Sequence, residues 1–243
     1  MFTSAKLLYR SYAVKKISYP SVTAIISETM NSGVIRWEGN LILKTFIESL
    51  KTELKNGSIS QETLKAIETN ARKAPEQIRK KASSWGNQSH SLIDKKLSKS
   101  TLPPSLSASS EVMLNNLDIW IQKEQFTFTD LNVYVNSSKY KYCGYIDAIG
   151  FDKNQNPVII DFKTGKTVVE TMTFQLAAYV EAYNEMSSNQ KQVKDAYILH
   201  FPSNSSELTV YKLTNIDTSF QYFKHCLGLY TFLHSKDSLL SPL

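Results

Sequence analysis

Between residues 126 and 163 the chain passes three times through aromatic and β-branched residues: "FTFTDLNVYV" (126–135), "YKYCGYIDAIGF" (140–151) and "PVIIDFK" (157–163), with short polar turns between them. Runs of this kind, so closely spaced, fold as neighbouring antiparallel strands. "TMTFQLAAYVEAYNEM" (171–186) then reads as a helix, "DAYILHF" (195–201) and "LTVYKL" (208–213) as two more strands, and 218–234 as a closing helix. The pattern predicts an α/β fold, a small mixed sheet flanked by helices.

Upstream, the signals are helical. "YPSVTAIISETM" (19–30) reads as a turn and a short helix with Ser21 as N-cap, and 34–54 keeps a helical apolar rhythm despite Gly39. After "NGSIS", one helix is expected from Ser60 to about Arg72, and another opened by Pro75 and continuing to about Leu97. "STLPPSLSASS" (100–110) reads as a linker, followed by a helix near 111–123. The expected organisation is a helical region over 13–99, a linker over 100–110 and a core over 111–243.

With 243 residues the chain suits one well-packed domain with a helical extension, and 42% hydrophobic residues with 13 tyrosines fit a folded globule. No apolar run approaches the roughly 18 residues of a membrane helix, so no membrane insertion is expected. The net charge is +6, and 71–99 alone accounts for an equal excess: Arg72, Lys73, Arg79, Lys80, Lys81, Lys95, Lys96 and Lys99 against Glu76 and Asp94. Such a cluster is either a solvated helix face or a footprint for a polyanion. Cys143 and Cys226 are far apart without metal-site spacing, which excludes a four-cysteine iron–sulfur cluster and a disulfide framework. The first 27 residues carry Lys6, Arg10, Lys15 and Lys16 and no acid, as mitochondrial presequences do. "RSYA" (10–13) resembles a matrix-processing site, and residues 1–12 are read as a presequence.

The chemistry concentrates at Asp147 and Asp161. Their midpoint, residue 154, is also the centre of the polar turn "DKNQN" (152–156). In a symmetric hairpin the two acids face each other, with Cβ atoms about 4.5–5.5 Å apart. Two bare carboxylates so placed repel, and a shared proton, a cation or a metal ion must offset them. Lys163 lies on the same face as Asp161 because strand side chains alternate. A divalent ion held by both acids, with the Phe162 backbone carbonyl as a further ligand, would leave Lys163 to orient a water attacking phosphorus.

Four separated elements then occur in an order that resembles the RecB-type PD-(D/E)XK nucleases: Gly86–His90 (G-x-x-x-H), "GYID" ending at Asp147, "DFK" with Asp161 and Lys163, and Gln175–Tyr179 (Q-x-x-x-Y). "YPSVTAIISETM", "KYCGYIDAIG…VIIDFKTGK" and "AYILHF" most resemble the mitochondrial genome maintenance exonuclease family. The resemblance implies a restriction-endonuclease-like core with a helical arch and a Mg²⁺-dependent exonuclease, with Mn²⁺ as substitute. It implies His90 as a third metal ligand, and action as a monomer on single-stranded or flap DNA in the matrix. It gives Gln175 and Tyr179 the tasks of bracing the site and contacting nucleic acid, with Arg79, Lys80 and Lys81 as basic contacts. Asp130 stands about where relatives often carry glutamate. The alternative is a catalytically silent DNA-binding scaffold on the same fold, against which the intact His–Asp–Asp–Lys set speaks.

Overall fold

A computed structural model describes residues 11–14, 17–55, 57–187, 192–202 and 207–235. Most of the expected presequence lies outside them. The chain divides into two compact units, residues 31–88 and residues 1–30 with 89–243.

The larger unit is built on a five-stranded sheet. Its strands are β3 (Thr127–Ser137), β4 (Tyr142–Phe151), β5 (Pro157–Lys163), β6 (Asp195–His200) and β7 (Thr209–Lys212), in that spatial order. All neighbours are antiparallel except β5 and β6, which are parallel. The parallel pair needs a crossover, and α5 (Thr171–Met186) supplies it. The mixed sheet with flanking helices is the expected fold class, and the strands and helices after residue 126 fall within a few residues of their sequence boundaries.

Each sheet face is closed by apolar packing. On one face α1 (Val22–Thr29), α5 and α6 (Ile216–His234) bury Ile25, Leu176, Val180 and Phe223 against Ile149, Ile159 and Ile198. On the other, α4 (Ala108–Glu124) and Leu92 and Ile93 cover Ala148, Val158, Ile160 and Phe162. Each of these side chains larger than alanine contributes about 1.5–3 kcal/mol on leaving water. β5 is therefore buried on both sides through Phe162, the usual state of a strand with a parallel neighbour.

Two glycines of β4 are fixed by close approach. A Cβ on Gly150 would lie 2.3 Å from the Thr127 carbonyl, next to the irregularity between Phe128 and Asp130. A Cβ on Gly144 would meet the Tyr179 ring at 2.6 Å. The glycine of "GYID" is thus the seat of the tyrosine of Q-x-x-x-Y.

Several upstream expectations change. Pro75 does not open a helix; it lies inside α3 (Gln61–Leu97), which runs through both predicted segments. Proline removes only one backbone hydrogen bond there, and Ile67, Ala71 and Pro75, spaced by four, form one buried face. The stretch read as linker ends at Ser107, which caps α4 by accepting from the Ser110 amide at 3.2 Å. Ser21 caps α1 as expected, accepting from the Ala24 amide at 3.1 Å. Before it, β1 (Ser11–Val14) and β2 (Ile17–Pro20) pair as a small hairpin where a basic leader and a turn are expected. In the smaller unit, α2 (Ser32–Leu54) buries none of its residues. No helix among the described residues is long and apolar enough to cross a membrane.

Candidate active site

The β4–β5 pairing runs Ala148↔Ile160, Ile149↔Ile159, Gly150↔Val158 and Phe151↔Pro157. Asp147 and Asp161 follow one step beyond this ladder, in the same register, so the two acids meet where the strands begin to part. Asp147 Oδ2 accepts the Phe162 amide proton at 2.7 Å, which ties the first acid to the backbone beside the second. No sequence signal marks that donor, because it belongs to the main chain.

Asp161 is buried, and its Oδ2 lies 2.6 Å from Lys163 Nζ. The ammonium is set directly against that buried oxygen. A buried carboxylate is costly unless such a charge partner compensates. Lys163 also donates to Gln175 Oε1 at 3.4 Å, and Gln175 Nε2 donates to the Tyr179 hydroxyl at 3.0 Å. The ring of Tyr179 is buried in the core. The Q-x-x-x-Y pair is therefore a brace running from the core to the lysine, and burial removes Tyr179 as a direct nucleic-acid contact.

His90 Nδ1 stands 3.8 Å from Asp147 Oδ1. The turns of α3 around it are pinned by Leu92 and Ile93 in the core, by Asn132 donating to Asp94 at 2.9 Å, and by Lys96 paired with Asp118 at 2.5 Å. Gly86 precedes His90 by one turn of α3. Asp130 is exposed on β3. Beyond β5, His200 Nε2 and the Gly165 carbonyl are 2.8 Å apart, which holds the turn after Lys163. This contact joins residues 35 positions apart and has no sequence signature.

The expected basic contacts are engaged locally in the smaller unit: Arg79 pairs with Glu38, and Lys80 with Glu76 at 2.7 Å. Surface pairs of this kind are worth about 0–1 kcal/mol, little enough for phosphate to displace. Lys81 is exposed. A separate cavity of about 950 Å³, bounded by Trp120, Asp152, Asp195 and Tyr197, lies at the other end of β5 and includes neither Asp147 nor Asp161.

The electrostatics follow from burial. Desolvation, and then the charge of Asp161, push the Asp147 carboxyl up to about 6, although His90, Lys163 and the Phe162 amide work against the rise. Burial acts to lower the Lys163 ammonium, but Asp161 and Asp147 outweigh it and hold the group above its ordinary value. The lysine stays charged, and one acid carries an unrelieved cost.

Among the described residues, no three His, Cys, Asp or Glu side chains are drawn together tightly enough to enclose a metal as placed. The donor chemistry nevertheless suits a hard dication: two carboxylates short of positive charge, with an imidazole beside one of them.

A family model described as the PD-(D/E)XK nuclease superfamily matches residues 42–237. The chain belongs to this superfamily. No curated protein matches it. Among solved structures it is similar to a "Putative exonuclease" from Eubacterium rectale, at 13% identity and a TM-score of 0.43, covering 60% of this chain and 64% of that one. It is also similar to the protein SSO0001, at 13% identity and a TM-score of 0.30, covering 53% of this chain and 60% of that one. The chain thus spans about three-fifths of the length of these solved proteins. Nucleases of this superfamily generally use divalent metal ions, in keeping with the acid pair.

The raised Asp147 carboxyl gives a signed prediction. Between its ordinary 3.8 and about 6, the folded protein holds a proton that the unfolded chain has released. Metal-free stability therefore falls as pH rises through this window, by up to roughly 3 kcal/mol. Asp147→Asn should raise the metal-free unfolding temperature at pH 7 and lose that advantage near pH 4. Thermal unfolding in EDTA measures this, and a variant less stable than the parent at pH 7 would contradict the assigned strain.

Proposed function

We propose that this protein is a metal-dependent exonuclease that hydrolyses phosphodiester bonds of single-stranded DNA at ends and flaps, serving mitochondrial DNA maintenance. The observation that carries the reading is the meeting of Asp147 and Asp161 at the parting of β4 and β5, with Lys163 at 2.6 Å from the second acid. Asp147, Asp161, the Phe162 carbonyl and His90 are the groups that would hold Mg²⁺ or Mn²⁺. When bound, such an ion neutralises charge on the phosphoryl oxygens and acidifies the attacking water.

The chain's own residues do the positioning. The Phe162 amide fixes one oxygen of Asp147 and leaves the other directed to His90. Lys163, aligned between Asp161 and Gln175, is placed to orient the attacking water and to offset charge on the phosphate. Tyr179 transmits the rigidity of the core to this lysine through Gln175. Single-stranded DNA as substrate and the matrix as location draw support from the family resemblance and from the acid-free residues 1–27.

Lys163→Ala should lower kcat by at least about 100-fold while largely preserving DNA binding, with EDTA abolishing cleavage in the parent and Mn²⁺ restoring it. Normal turnover by Lys163→Ala, or cleavage unaffected by EDTA, would remove the mechanism. Residues 1–30 fused to a fluorescent protein should carry it into mitochondria, and a cytosolic signal would refute the location.

A further inference from the structure

β4 carries an unusual pattern of exposure. From Tyr142 to Gly150 every residue is buried except Tyr145 and Asp147. Two positions apart on a strand, these side chains leave the same side of the backbone, about 6.8 Å from each other along it. Tyr145 is 44% exposed. In register opposite it on β3 is Tyr134, with ring centroids 5.4 Å apart and planes at 64°. An edge-to-face neighbour orients a ring while covering at most one of its faces.

The chain leading into Tyr145 continues the strip. The Cys143 thiol is covered by Tyr19, whose carbonyl lies 3.3 Å from Sγ, and the Lys141 ammonium lies 5.8 Å from the Tyr19 ring. Away from the acid, β4 presents a half-exposed aromatic ring and then a thiol sealed by Tyr19, and the exposed Lys141, just before the strand, sets its ammonium over that second ring. A strand core has no need of an exposed tyrosine here. A nucleic acid lying along the strip would find a surface for a base face beside the acid pair, and positive charge for the backbone farther on.

We propose that Tyr145 stacks on the base of the nucleotide adjoining the scissile phosphate, so that the site favours strands whose bases are unpaired. The inference rests on the nuclease reading and deepens it. Both faces of a base within a duplex are occupied by its neighbours, whereas a base in a single strand can offer one to an aromatic ring. The selection requires no hydrogen bond to a base edge and is therefore tolerant of sequence.

The test is fluorescence anisotropy with a short labelled single-stranded DNA, using the full chain in the Lys163→Ala background so that the strand persists. Adding Tyr145→Ala should weaken binding about tenfold, with a much smaller effect on duplex DNA, and Tyr145→Phe should recover it. Tyr145→Leu, which keeps bulk without a π face, should behave like the alanine variant. One abasic residue, moved along the oligonucleotide, should at one position cause the same loss in protein retaining Tyr145 and no further loss in Tyr145→Ala. Tyr145→Phe, which keeps the ring, should retain the abasic penalty and Tyr145→Leu should lose it, so the contact is read in conservative variants even if Tyr145→Ala folds poorly.

Unchanged binding by Tyr145→Ala and Tyr145→Leu, or an abasic penalty that adds in full, would overturn the stacking role. Cleavage by the wild-type protein in Mg²⁺ or Mn²⁺ separates the two claims. Cleavage without Tyr145 dependence sinks only the stacking. Tyr145-dependent binding without cleavage sinks only the hydrolytic reading. Neither binding nor cleavage sinks both.

Discussion

Two carboxylates brought together where β4 and β5 part are the constraint around which the rest of the sheet is arranged. Left alone, Asp147 and Asp161 would push the strands apart or take up a proton; burial first, and then the charge of Asp161, raise the Asp147 carboxyl to about 6. The fold tolerates it because β5 is held from both faces and by a parallel neighbour, so the buried Asp161 cannot swing into water without disrupting the core. Lys163 relieves part of the strain and is itself kept charged by the pair. A buried ion pair of this kind adds little to stability, so its value lies in what it positions.

The support around the acids divides by face. The α5 side supplies the brace from Tyr179 through Gln175 to Lys163, and the seat of Tyr179 exists because residue 144 has no side chain. The other side carries Phe162 and the turns of α3 that bring His90 toward Asp147. Motifs that look independent in the sequence are mechanically joined: the glycine of one receives the tyrosine of another, and the aromatic of a third lends its amide to an acid.

The sheet and the acid pair were legible because both follow from local rules. Alternation and turn position set the register of β4 on β5, and the symmetric midpoint at residue 154 is borne out by the pairing. The helical region is less legible: Pro75 reads as a helix start because the sequence does not show that its neighbours bury one continuous face. The β1–β2 hairpin was hidden under a composition that reads as a targeting segment. Long-range polar contacts, Asn132 with Asp94 and His200 with Gly165, depend on chain crossings that no local pattern encodes. The resemblance gives Tyr179 both bracing and contact, and spacing on a helix does not distinguish a face turned to the core from one turned to a ligand.

The central claim is that the acid pair is completed by a dication, and calorimetric titration of the metal-free protein with Mn²⁺ tests it most directly. Near pH 6, where the folded protein still holds part of the Asp147 proton, saturable binding should release that proton. The apparent heat should then vary with the ionisation enthalpy of the buffer, and the variation should vanish in Asp147→Asn. Saturable binding that is indifferent to the buffer, or no binding at all, would contradict the account.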